Sequence, residues 1–146
     1  MLKYCHHYII FETMAHTKLS VATSIVVEQI IIHSEYLQRG VIIDIYLPVS
    51  VEGPEQLSLL LINDGQDLPA MPFDKILDDL ISKKIIEPLI CVGIHCGPDR
   101  KMEYGTSYSA DYNGRGAKAG LYSKFIFDEL LPHIRKTCHI PTFKDK

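Results

Sequence analysis

Apolar residues along this chain fall into compact runs and spaced stripes, and the two patterns predict different elements. Ser24–His33 (Ser-Ile-Val-Val-Glu-Gln-Ile-Ile-Ile-His) is β-branched and carries no helix signal, which predicts a strand. Val41–Leu47 predicts a second strand, stopped by Pro48. Only a short polar turn, Tyr36 to Gly40, separates the two, so an antiparallel pair is expected. Val49–Gln56 reads as a loop around Gly53-Pro54. Leu57–Ile62 (Leu-Ser-Leu-Leu-Leu-Ile) is almost unbroken apolar sequence, which suits a strand of a parallel sheet buried on both faces.

Beyond Asn63-Asp64-Gly65-Gln66 the period changes. Pro72 suits a first helical position, and Phe73, Ile76, Leu77, Leu80 and Ile81 recur at helical spacing. Lys83 and Lys84 close that helix, where cations suit its negative end. Leu89–Ile94 predicts another buried strand, and Cys96–Gly120 is a long, polar, glycine-rich segment of the kind that usually serves a function. Leu121, Phe125, Leu130 and Ile134 then mark a second helix, in which Pro132 is expected to produce a kink or end the regular part. Strand, strand, strand, helix, strand, helix argues an α/β sheet with helices on both faces, its third and fourth strands parallel.

Composition narrows the function classes. The chain has 146 residues, 47% hydrophobic and 23% charged, which is a globular profile with room for one domain. A net charge of −3 and the lack of a basic run argue against nucleic acid as a partner. No stretch is long and apolar enough for a membrane span, and the N-terminus lacks a signal-peptide core, so a cytoplasmic location is expected. Residues 1–23 read as a poorly ordered extension before a domain at 24–146, and either Met1 or Met14 could be the start. Cys5, Cys91, Cys96 and Cys138 form no C-x-x-C pair, so reduced thiols are expected. Cys5, His6 and His7 lack zinc-ligand spacing, and no metal or organic cofactor is expected.

Three pieces of sequence resemble the putative-esterase branch of the α/β-hydrolases, which includes enterochelin esterases and S-formylglutathione hydrolases. Leu60-Leu61-Ile62-Asn63-Asp64-Gly65-Gln66 is similar to the family's strand followed by an Asp-Gly-Gln loop. Asp99-Arg100-Lys101-Met102-Glu103-Tyr104 resembles its Arg-x-x-Glu-Tyr, and Phe127–Ile134 resembles its Glu-Leu-x-Pro helix. The likeness runs from about Glu28 to Cys138. It implies an incomplete α/β-hydrolase three-layer sandwich, with an antiparallel first strand pair followed by parallel βαβα. It also implies that the next strand, leading to the Gly-x-Ser-x-Gly nucleophile, would begin where this chain stops. No residue here would then inherit the nucleophile, acid or base. One long side of Leu57–Ile62 would lack a neighbour, and self-association through that strand becomes possible.

The resemblance also supplies site candidates. Gly65 or Gln66 would offer a backbone N–H to an oxyanion hole, against the plainer reading of a turn after a strand. Arg100, Glu103 and Tyr104 are substrate-binding candidates, against the plainer reading of an Arg100–Glu103 ion pair holding the long loop. Asp111, Tyr112 and Asn113 could line a substrate mouth. Gly105-Thr106-Ser107-Tyr108-Ser109 fails as a nucleophile elbow, because Ser107 follows no buried strand. Gly114–Gly120 matches no phosphate-loop pattern. His95, just after a strand, reads as a hydrogen-bonded structural histidine rather than a base. The expected function is the N-terminal part of a serine carboxylic-ester hydrolase acting on a small-molecule ester and inactive alone. The alternative is a non-catalytic α/β interaction module.

Overall fold

The computed structural model describes residues 24–49, 57–140 and 143. The 1–23 extension with Cys5, His6 and His7, and residues 50–56 of the expected loop, lie outside the described residues.

Strands β1 (Ile25–Ser34) and β2 (Arg39–Pro48) form an antiparallel hairpin, with Ile25 opposite Pro48 and Ser34 opposite Arg39. Strands β3 (Ser58–Asn63) and β4 (Leu89–Ile94) pair in parallel, and helix α1 (Phe73–Ser82) makes the crossover between them. β4 also pairs antiparallel with β2 through Ile43–Tyr46 of β2, giving the order β1-β2-β4-β3. Each expected strand is present within a residue or two. α1 begins at Phe73, one residue after the proline expected to open it, and Lys83 caps its end.

Side chains alternate across the sheet and divide the core in two. On one face, Val41, Ile43, Ile45, Ile90, Val92 and Ile94 are buried beneath the C-terminal helical segment, which presents Phe125, Leu130 and Ile134. On the other face, α1 sets Leu77, with Phe73 and Ile81, against Ile25, Tyr46 and Cys91. Each fully buried aliphatic side chain contributes roughly 1.5–3 kcal/mol, so the larger cluster carries most of the fold's stability. Helices therefore lie on both faces, as the alternation of strand and helix requires.

The C-terminal segment runs as helix α3 (Ala119–Lys124), a π-helical turn (Phe125–Leu130) and helix α4 (Leu131–Thr137). Pro132 has no N–H to give to the Asp128 carbonyl, and its ring crowds that carbonyl in a regular α-helix. The wider turn just ahead of the proline relieves both problems. The expected interruption thus falls before Pro132 rather than at it.

β3 ends the sheet: among the described residues its only strand partner is β4. Its burial is correspondingly incomplete, with Leu60 44% exposed, unlike β4, where five of six residues are buried. An apolar groove of about 490 Å³, lined by Leu59, Leu60, Leu61, Ile126, Phe127 and Leu131, runs beside it.

Candidate active site

Parallel β3 and β4 point their C-terminal ends the same way, so the segments after Asn63 and Ile94 meet at one edge of the sheet. Asp64 leaves β3 in the left-handed region (φ 58°, ψ 42°), which aspartate tolerates better than most residues. The chain then enters a 3-10 turn, Gly65–Ala70. Gly65 is buried directly on β4. A Cβ placed there would stand 2.5 Å from the Gly93 carbonyl carbon and 2.8 Å from the Ile94 nitrogen. Only glycine permits backbone to rest on backbone at this height. The first N–H groups of such a turn lack acceptors within it, and among the described residues those of Gly65 and Gln66 have none elsewhere. The Gln66 side chain is spent on structure, its Oε1 accepting the Cys96 N–H at 3.1 Å.

Arg100 opens the short helix α2 (Arg100–Glu103) and donates twice to Asp64, Nε to Oδ1 at 2.7 Å and a terminal nitrogen to Oδ2 at 2.5 Å. This fork holds the Asp64 carboxyl well below its usual range, at about 2. The Arg100 guanidinium also lies 5.0 Å from the Tyr104 ring centre. Tyr104 meets Tyr122 edge-on at 5.3 Å, and the Tyr122 hydroxyl donates to Asn63 Oδ1 at 2.6 Å. Burial pushes both phenols upward, so they stay protonated donors at neutral pH.

Glu103 points the other way. It is 2% exposed and accepts a bidentate pair from Arg39 of β2, at 2.9 and 2.7 Å. The ion pair expected between Arg100 and Glu103 is thus replaced by two separate ones, because the single turn of α2 sends Arg100 to the sheet edge and Glu103 inward. Arg100 and Tyr104, with Lys101, Asp111 and Arg115, line a surface cavity of about 530 Å³; Glu103 does not. Asp111 folds its own loop by accepting from Asn113 and Arg115. Tyr112 is almost fully exposed. Ser107 lies in the turn closed by the Thr106–Ser109 bridge.

His95 is held at 2.6 Å from Asp44 Oδ2, and Gln29 donates to the other oxygen of the same carboxylate. Asp44 is a buried acid in the middle of β2 that the apolar reading of that strand passed over, as it did the Arg39–Glu103 and Asn63–Tyr122 pairs. No local signal marks such partners, which lie dozens of residues apart. Cys91, Cys96 and Cys138 are free, with burial pushing Cys91 up to about 12 and Cys138 to about 11. Among the described residues no group of three or more His, Cys, Asp or Glu could hold a metal ion, and no helix is long and apolar enough to cross a membrane.

The four-stranded mixed sheet of the described residues, with helices on both faces, is an α/β fold that matches esterase structures and is incomplete relative to the full hydrolase. Residues 34–142 match the family described as "Putative esterase", and the chain belongs to that family. No curated protein matches the sequence. Among solved structures, the BES protein from Bacillus cereus aligns with a TM-score of 0.63 at 19% identity, covering 92% of this chain and 54% of its own. An IroE-like serine hydrolase from Shewanella oneidensis aligns at 0.61 and 23% identity, covering 76% of this chain and 38% of its own. The enterochelin esterase of Shigella flexneri aligns at 0.63 and 20% identity, covering 82% and 27%. At these identities the likeness is one of fold. The chain spans about half the length, or less, of these structures.

Proposed function

We propose that this chain is the N-terminal part of a cytoplasmic serine carboxylic-ester hydrolase, to which it supplies the sheet core and one oxyanion donor. The observation that carries the reading is the seat of Gly65 on Gly93, which fixes two uncommitted N–H groups at the edge where the parallel strands end. Fixed donors of this kind stabilise the charge that develops on a carbonyl oxygen under attack. Asp64 beside them would oppose such a charge, and its bidentate partner Arg100 offsets it. The acyl-serine chemistry would come from a Gly-x-Ser-x-Gly segment, with acid and histidine, belonging to the rest of the polypeptide. The cavity beside Arg100 and Tyr104 is the proposed mouth for the ester substrate.

Purified alone, the chain is expected to hydrolyse p-nitrophenyl acetate no faster than buffer. Turnover that a serine-directed phosphonate abolishes would overturn this. Joined to a C-terminal half carrying the nucleophile, Gln66→Pro removes one N–H where a first-turn proline is tolerated. The expected loss in kcat is on the order of a hundredfold, whereas Gln66→Ala keeps most of the rate. Equal rates for the two variants would exclude Gln66 as the donor and leave Gly65.

A further inference from the structure

On the reading of the cavity beside Arg100 and Tyr104 as the substrate mouth, we propose that it takes esters which also carry a free carboxylate, with Lys101 and Arg115 selecting for the charge. Three cations, Arg100, Lys101 and Arg115, line this space of about 530 Å³, against one acid, Asp111. Small-molecule sites span roughly 300–1,000 Å³, so a compact ester fits. The excess of positive charge comes from where the chain sends its acids. Asp99 and Glu103 flank Arg100 and Lys101 in sequence, yet Glu103 turns inward to Arg39 and Asp99 pairs with Lys118. Neither acid lines the cavity, and nor does Asp64, the partner of Arg100.

Asp111, the one acid in the cavity wall, is already satisfied. Its Oδ1 accepts the Asn113 and Arg115 N–H groups, each at 2.9 Å, and its Oδ2 accepts Arg115 Nε at 2.6 Å. Arg115 spends only Nε on that pair. Among the described residues its terminal nitrogens and Lys101 Nζ have no acceptor, so an incoming carboxylate meets charged donors without displacing an acid. Thr106 and Ser109 add hydroxyl groups to the same wall. The spacing of the cations is set by main chain. The Gly116 N–H donates to the Lys101 carbonyl at 2.9 Å, which ties the residue after Arg115 to Lys101 itself. Gly105 closes on the same glycine, where an added Cβ would stand 2.9 Å from the Gly116 Cα. Lys101 and Arg115 therefore face a ligand from segments already joined, which lowers the cost of ordering them. A neutral ester gains nothing from either charge.

Nuclear magnetic resonance titration of the isotopically labelled chain tests this without hydrolysis. Monomethyl succinate is the anionic ester and dimethyl succinate its neutral twin. The anionic ester is expected to shift the amides of Lys101, Gly105, Thr106 and Arg115 saturably, in roughly the millimolar range, and less as salt is added. Dimethyl succinate is expected to leave those amides in place. Lys101→Gln is expected to weaken binding about threefold, and Lys101→Arg to keep most of it. Lys75→Gln, on α1, is expected to change nothing. Equal shifts from the two esters, a response that never saturates, or a Lys101→Gln titration matching that of the unsubstituted chain would each overturn the assignment. The esterase reading is judged separately by the Gln66 variants in the joined protein, so failure of one is not mistaken for failure of the other.

Discussion

Around Asp64 the positions of a few atoms decide the character of the candidate active site. Arg100 depresses the carboxyl from 3.8 to about 2, so the pair contributes stability above the unfolded value and loses it as pH falls toward 2. Unfolding by urea is therefore expected to grow easier between about pH 4 and pH 2, and Arg100→Leu is expected to flatten that slope. The pair is partly exposed, so added salt is expected to shrink the difference. Gly65→Ala is a steric experiment at the same turn. With β4 backbone 2.5 Å from the new methyl, nothing flexible can give way, and a loss of about 1–3 kcal/mol is expected by urea titration. Tyr122→Phe removes the hydroxyl that reaches Asn63 and is expected to cost about 1 kcal/mol. The sequence exposed Asp64-Gly65-Gln66 as a turn, because glycine after an apolar run is a local signal. It could not reveal that Arg100 is the partner of Asp64, since two equally spaced charges, Arg100 and Glu103, also satisfy a local pairing rule.

Among the elements, those read most closely from sequence are the ones whose periodicity is set by burial. β4, buried along nearly its whole length, begins and ends where its apolar run does. The C-terminal helix was visible from Leu121, Phe125, Leu130 and Ile134. Its π-helical turn was not, because a proline announces a conflict without saying which residues absorb it. The loop after β4 was legible as long and polar, yet its internal order rests on distant partners. Glu103 anchors it to Arg39, Lys118 pairs with Asp99, and the Gly116 and Lys118 N–H groups donate to the Lys101 and Met102 carbonyls of α2. Glu103→Leu leaves Arg39 with an uncompensated, mostly buried charge, and a loss of about 3 kcal/mol is expected in urea. The double variant Arg39→Met/Glu103→Leu is expected to lose less, because both charges go together. Limited proteolysis within residues 104–118 is expected to accelerate in the single variant, reporting the loop rather than the core.

At the scale of the molecule, the described residues hold a sheet covered by helices on both faces, with β1 at one end and β3 at the other. The class of fold was readable from the order of elements and the right-handed rule for parallel crossovers, which leave few topologies open. The neighbours of β3 could not be read from its residues, since an apolar run says that a strand is covered and not by what. Residues that act on a substrate from elsewhere in an esterase of this family leave no trace in this stretch, and so the site here could be read only as a support. The contact of Gly65 with Gly93 gives that support a particular property. A side-chain spacer would let the turn ride up or down with each rotamer. Bare main chain on main chain offers no such adjustment, so the height of the turn above β4 is a fixed gauge, and under the proposed function any change in the size of the acyl group accepted would have to come from other parts of the protein.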